Sequence, residues 1–225
     1  MRIAKKEMLL GGAIWALGWI LILLPVALAF LFVYLYGVTV VHLDQWEIIP
    51  LFEKLSLGTL AVSDLFAPHN QHRMFFPWIA MLGLGTITKY NNVAEMYFAL
   101  ACFLGMLTAL FLVFRGSIKP RLPFLLPVFF VPIAFLVLSL SQHENLLWGF
   151  QLAFGLVQVS SVLALCLLYF SGYERLRKLV FPAALTSCTV ATFSALQGLM
   201  VWPVGLLQLL IGPVEKPTKK WLVGA

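Results

Sequence analysis

Residues 42–73 read HLDQWEIIPLFEKLSLGTLAVSDLFAPHNQHR, and this polar stretch decides how the rest of the chain is arranged. It carries Asp44, Glu47, Glu53 and Asp64, together with three of the four histidines. Ionisable groups are costly in hydrocarbon, so the stretch is excluded from the bilayer core. Long apolar runs flank it on both sides. We therefore expect the stretch to lie at one membrane surface, held there by the helices around it.

The composition is that of a membrane protein. Of 225 residues, 62% are hydrophobic and 11% charged, whereas soluble domains carry about 25% charge. The net charge of +6 does not indicate nucleic-acid binding, because the basic residues stand in short loops between apolar runs and no nucleic-acid motif is present. We predict an all-α, polytopic membrane helix bundle forming a single transmembrane domain over 1–225.

The apolar runs give the expected spans. They lie at about residues 8–37, 93–114, 122–140, 147–170 and 179–196, with 199–211 a marginal sixth. Residues 38–92 form the first loop. Within it, the apolar spacing over 45–57, at Trp46, Ile49, Leu51, Phe52 and Leu55, predicts a short interfacial helix. A turn is expected at 67–70. The run at 74–88 is short for a span, so we expect it not to cross.

Basic residues favour one topology among three. If 74–88 spans, the basic loops near 115–121 and 175–178 fall outside the cell, against the positive-inside rule. If it does not span, the N-terminus is cytoplasmic and twelve of the fifteen Lys and Arg residues lie inside. A third arrangement, with the N-terminus outside and 74–88 spanning, puts the loops 42–73 and 141–145 on opposite sides. We favour the second arrangement.

The favoured topology gathers polar chemistry on one face. The loops 42–73, 89–92, 141–148 and 195–203 all become non-cytoplasmic. Together with Glu95 at the start of the next span, this face then holds six of the nine acidic residues and all four histidines. We expect a multi-pass integral membrane protein. Its membrane would be the inner or plasma membrane if the organism is bacterial, and that of the endoplasmic reticulum if it is eukaryotic.

Two motifs carry a family resemblance. DQWE, residues 44–47, follows the first helix, and PHNQHRMFFPW, residues 68–78, leads into the short apolar run. Their order resembles that of polyprenyl-phosphate-sugar-dependent membrane glycosyltransferases of the C superfamily (GT-C), including protein mannosyltransferases and lipid A aminoarabinose transferases. Asp44 matches the acidic residue of the first loop, and His69 matches the histidine of a His-Pro-Pro-Leu-type stretch, whose prolines are replaced here by Asn70 and Gln71.

The resemblance covers about residues 1–150, and the family usually has more spans and a C-terminal region. It therefore implies an N-terminal portion of a longer protein, or a truncated relative. It also implies sugar transfer from a polyprenyl-phosphate donor to a lipid, glycan or protein acceptor at the outer face, in contact with membrane lipids.

Asp44 and Glu47 are the expected catalytic residues. Transfer of a sugar to a hydroxyl or amine needs a base near the nucleophile, and Asp44 stands where the first helix leaves the membrane. Glu47 shares its face if the segment is helical, and either orients the base or joins it in holding a divalent cation. The plain alternatives are an interface-marking aspartate and a solvated helix face. The sequence identifies no cofactor with certainty, and a divalent cation stays open.

Substrate binding is expected from two clusters. His69, His72 and Arg73 suit recognition of the donor phosphate better than a metal site, since two histidines fall short of a ligand set. The alternative for Arg73 is a side chain that reaches from an apolar helix to the interface. The second cluster, predicted to meet the first loop, comprises His143, Glu144, Asn145, Trp148 and Gln151. Loop capping and interfacial anchoring are its alternative roles.

The sequence thus predicts an integral membrane glycosyltransferase. The other readings are a transporter or carrier of lipid-linked sugar and a membrane assembly subunit without activity. Few polar residues lie deep within the spans, which favours an interfacial enzyme over a transporter.

Overall fold

A computed structural model describes residues 2–118, 122–172 and 174–211. Lys119, Arg121 and the tail 213–225, which entered the charge argument, lie outside the described residues. Apart from its loops and one two-stranded hairpin, the described part of the chain is helical, which confirms the all-α prediction. In chain order the helices and strands are α1 (Arg2–Tyr36), α2 (Ile49–Ser56), α3 (Val62–Leu65), β1 (Pro68–His69), β2 (His72–Arg73), α4 (Phe75–Thr88), α5 (Asn92–Ser117), α6 (Leu126–Val137), α7 (His143–Leu147), α8 (Leu152–Ser171), α9 (Glu174–Thr192) and α10 (Val201–Ile211).

Four helical segments of the described chain are long and apolar enough to cross a membrane. They are Leu9–Tyr36, Asn92–Ser117, Pro123–Leu147 and Gly149–Ser171. Phe75–Thr88 and Leu196–Ile211 are shorter apolar helices. Helix α9 covers most of the predicted span at 179–196 but begins earlier, at Glu174. These lengths agree with a membrane protein.

The bundle is built from pairs of packed helices. Helix α1 packs on α6, α5 packs on α8, and α8 packs on α9. A first apolar core lies between α1, α5 and α6 and includes Phe103 and Phe130. Small residues permit close approach, which stabilises helix pairs in membranes. Gly18 of α1 is such a residue, since a Cβ there would lie 2.8 Å from Pro127.

Helix α4 begins and ends at the same end of the bundle. At its start, the Phe76 N–H donates to the Phe193 carbonyl, just past α9, at 3.2 Å. Beyond its end, the Asn91 side-chain oxygen accepts from the Thr39 hydroxyl, just past α1, at 3.1 Å. A second apolar core, including Met74, Trp78 and Met81, packs α4 beneath the polar stretch.

The polar stretch folds as a short helix and a hairpin. The predicted helix over 45–57 is present as a 3₁₀ turn, Leu43–Ile48, that continues into α2. Its buried face is Gln45, Ile48 and Leu51, whereas Trp46 is exposed. The helix is followed by Gly58, whose φ of +68° suits glycine.

The turn predicted at 67–70 is wrong by two residues. Pro68 and His69 form strand β1, and the turn is Asn70–Gln71. The shift has a physical reason: Asn70 has a φ of 50°, a left-handed conformation that asparagine tolerates, while proline suits the edge strand that precedes it.

Candidate functional site

A buried polar network anchors the polar stretch to the bundle. The fully buried Gln45 side-chain NH₂ donates to the Asn92 oxygen and to a Glu95 carboxylate oxygen, each at 2.6 Å. The Asn92 amide in turn donates to the Val40 carbonyl at 2.8 Å. The network therefore ties the 3₁₀ turn to the first turn of α5.

Gly149 makes room for this network. A Cβ at that position would lie 1.8 Å from the Asn92 oxygen and 2.6 Å from a Glu95 carboxylate oxygen. A side chain cannot fit there. The close approach of backbone to polar groups thus requires glycine at the start of the 3₁₀ turn Gly149–Gln151.

His69 lies between the two expected catalytic carboxylates. Its ring is 3% exposed, and its Nδ1 lies 2.5 Å from a Glu47 carboxylate oxygen. Because an ionised carboxylate only accepts, the Nδ1–H of His69 donates to Glu47. The rings of Trp78 and Phe150 pack against the imidazole, with ring centroids 5.8 and 5.3 Å away. Packing and the hydrogen bond to Glu47 together fix the ring orientation.

The other ring nitrogen of His69 faces Asp44. Nε2 lies 3.5 Å from an Asp44 carboxylate oxygen and 3.5 Å from the Asn70 amide nitrogen. The Asp44 side chain is 49% exposed, so it is free to move relative to the buried ring. The structure thus brings Asp44, Glu47 and His69 together from two separate segments of the polar stretch.

Asp44 and His69 both line a pocket of about 240 Å³. Its remaining lining residues come from the hairpin and the residue after it, from the segment 148–151 and the start of α8, and from the turn after α9; they are Asn70, His72, Met74, Trp148, Phe150, Gln151, Ala153, Phe154, Ser194 and Ala195. That volume suits one ring-sized group.

The prediction that the second cluster meets the first loop is confirmed at Trp148. Its indole N–H donates to the His42 carbonyl at 3.2 Å. Its ring stacks on Phe150 with centroids 5.4 Å apart. Trp148 and Phe150 together give the pocket an aromatic wall beside the polar groups.

Other predicted site residues lie apart from the pocket. His143 and Glu144 are exposed on α7 and do not line it. The Asn145 amide donates to the neighbouring Gln142 at 3.4 Å. Arg73 is exposed, and its guanidinium donates to the Phe66 carbonyl at 2.9 Å.

His72 lines the pocket and also joins it to the turn after α9. Its Nδ1 accepts from the Leu196 backbone N–H at 3.0 Å. This bond requires an unprotonated Nδ1, so the neutral ring carries its proton on Nε2. His72 therefore holds the hairpin against the opposite wall of the pocket.

Sequence reasoning did not place Gln45, Asn92 or Glu95 in a shared role. The signal was an acidic residue at the start of an apolar span, where a carboxylate needs a partner. Tyr90, in the loop before α5, lies close to the same buried network. Burial, and after it the nearby Glu95 charge, raises the pKa of the Tyr90 hydroxyl to about 12.

The arrangement can transfer a proton, and it can accept hydrogen bonds from a bound molecule. A half-exposed carboxylate lies at the pocket wall, and an imidazole backed by a second carboxylate lies behind it. Within the described residues, no group of three or more His, Cys, Asp or Glu is arranged to hold a metal ion.

Comparison with family models, with curated protein sequences and with solved structures finds no match to this chain in any of the three.

Proposed function

We propose that the protein is an integral membrane glycosyltransferase, or the N-terminal module of one. It would transfer a sugar from a polyprenyl-phosphate donor to a lipid, glycan or protein acceptor at the non-cytoplasmic face. The observation that carries the proposal is Asp44 at the wall of a pocket, beside His69 and Glu47. A base placed in this way can take the proton of an acceptor hydroxyl or amine.

The position of the pocket supports an interfacial reaction. The described lining comes from loops and helix ends, including the turn after α9 and the start of α8. Polyprenyl phosphates place their charged group at the membrane surface, so a pocket at the end of an apolar bundle suits them. A carrier would need polar groups along a path near the bilayer midplane, and the sequence has few polar residues deep within its apolar runs.

The contacts of α4 support the topology behind the proposal. Both ends of this helix meet segments at the same end of the bundle. Such a helix suits the arrangement in which 74–88 does not cross and the basic loops are cytoplasmic. The polar loops then share the non-cytoplasmic face of a multi-pass membrane protein.

Arg73 remains the proposed contact for the donor phosphate. It is exposed beside the pocket hairpin, and a guanidinium has five N–H donors, of which the Phe66 carbonyl occupies only part. His69 suits phosphate binding less well, because two carboxylates already face its ring nitrogens. Trp148 and Gln151 line the pocket and are proposed to contact the transferred sugar or the acceptor.

The test uses the purified full chain with labelled polyprenyl-phosphate sugars and candidate acceptors. We expect transfer by the wild type and a loss of about 100-fold or more in Asp44→Asn, the usual contribution of a general base. Glu53→Gln is the control, because Glu53 is an exposed carboxylate on α2 away from the pocket. Full activity in folded Asp44→Asn would exclude Asp44 as the base. Movement of the labelled lipid between leaflets without transfer would favour a carrier.

A further inference from the structure

We propose that Glu47 and His69 form a carboxylate–imidazole dyad that receives the proton collected by Asp44, with Nε2 of His69 as the receiving atom. The source of that proton rests on the proposed function. The dyad itself rests on the geometry of three side chains and can be tested without any activity.

The first step of the argument is the tautomer of His69. Glu47 lies at 2.5 Å from Nδ1 and, when ionised, can only accept. The proton of the neutral ring is therefore on Nδ1, and the lone pair is on Nε2. This is the arrangement in which a carboxylate orients an imidazole and stabilises the imidazolium formed when Nε2 takes a proton.

The second step is that Nε2 has a partner in both protonation states. The Asn70 amide nitrogen, 3.5 Å away, can only donate, which suits the lone pair of the neutral ring. The Asp44 carboxylate, also 3.5 Å away, accepts when ionised, which suits the N–H of the imidazolium. An atom placed between a donor and an acceptor can gain or lose a proton without being left unpaired.

The third step concerns which groups move. The His69 ring is buried between Trp78 and Phe150, while the Asp44 side chain is half exposed. Rotation of Asp44 can therefore shorten its distance to Nε2 while the ring stays in place. The described charged groups that face the ring are Asp44 and Glu47, since Glu95 is engaged with Gln45.

The proton path balances. As the acceptor oxygen bonds to the sugar carbon, the bond from that carbon to the donor phosphate breaks, and its electron pair leaves with the phosphate. The acceptor O–H bond breaks, and the proton forms an O–H bond on Asp44. That proton then passes to Nε2, giving an imidazolium whose Nδ1–H stays with Glu47. After the product leaves, Nε2–H gives its proton to water in the pocket, restoring the starting tautomer.

The dyad is tested first by ¹⁵N NMR of histidine-labelled full chain in micelles. We expect the His69 proton on Nδ1, with Nε2 unprotonated, and we expect Glu47→Gln to shift the ratio of the two tautomers by about tenfold toward Nε2–H, since a charge-assisted bond is replaced by a neutral one. Glu47 is 56% exposed, so this substitution should leave the fold intact. Glu53→Gln is the control. A wild-type His69 protonated on Nε2, or an unchanged ratio in Glu47→Gln, would overturn the dyad.

The second arm measures transfer against pH. Glu47→Gln and His69→Gln should each lower kcat by about tenfold or more and displace the acidic limb of the profile, with KM unchanged. If the NMR result stands but the wild type transfers no sugar, the proposed function fails and the dyad survives. If transfer occurs and neither substitution changes the kcat profile, the dyad has no part in the reaction while the proposed function stands.

Discussion

Replacing Gln45 with leucine should remove the hydrogen bonds that hold the polar stretch to the bundle and so destabilise the fold. Leucine keeps much of the buried volume but cannot donate to Asn92 or Glu95. The lost bond to the neutral amide is worth about 1 kcal/mol and the lost bond to the carboxylate about 1.5–3 kcal/mol. The Gln45 oxygen is buried with no partner in the described structure, so removing it returns about 1 kcal/mol. The net loss in the free energy of unfolding is therefore about 2 kcal/mol.

The assay is equilibrium unfolding of the full chain in detergent micelles. Gln71→Leu is the matched control, because Gln71 is exposed in the hairpin turn and the change there should stay within about 0.5 kcal/mol. A double-mutant cycle with Glu95→Leu should return a coupling energy of about 1.5–3 kcal/mol, the share assigned to the bond between the two side chains. A loss below about 0.5 kcal/mol in Gln45→Leu would refute the network as an anchor.

Three further predictions follow from local geometry. Gly149→Ala should be more destabilising than Gly83→Ala in the same unfolding assay, because its Cβ would lie 1.8 Å from a network oxygen whereas Gly83 has open space; equal losses would contradict this. Gly58→Ala should cost about 1 kcal/mol through its φ of +68° alone, since nothing lies within 4 Å of the added Cβ. The hydrogen bond from Lys54 lowers the pKa of Asp64 in the folded protein. The ionised carboxylate therefore stabilises the fold at pH values above its unfolded-state pKa, and this stabilisation is lost as the pH falls through the lower, folded-state pKa. Amide-exchange protection near the α2–α3 connection, corrected for the pH dependence of the intrinsic exchange rate, should therefore fall at acidic pH in the wild type but show no such step in Asp64→Asn.

Much of the fold was predictable because it follows from local polarity. Long apolar runs identify helices. Three of the four long apolar helices of the described chain begin and end within three residues of a predicted span, whereas Pro123–Leu147 extends seven residues past the span predicted at 122–140. That extension covers the predicted loop 141–145, which is helical in the short α7. Helix α6 ends at Val137, and the chain then forms a 3₁₀ turn, Leu140–Gln142, before α7, so polar residues that look like a loop in the sequence carry two short helical turns instead.

The candidate site was predictable in membership but not in geometry. Asp44, Glu47 and His69 were each singled out, and they do meet. Their pairing was not foreseen: Glu47 and His69 are 22 residues apart, and only the hairpin brings the imidazole back over the 3₁₀ turn. Arg73, expected beside His69, belongs to the neighbouring strand and is directed to the Phe66 carbonyl instead.

The sequence by itself determined that this chain is helical, that most of it suits a membrane and that residues 42–73 cannot enter hydrocarbon, because these depend on the transfer free energies of individual side chains. Tertiary structure decided which polar groups touch. Gln45 meets Glu95 across 50 residues of sequence, and Trp148 meets His42 across 106. Such contacts depend on how helices pack against one another, and hydrophobic periodicity within any one segment carries no information about its partner.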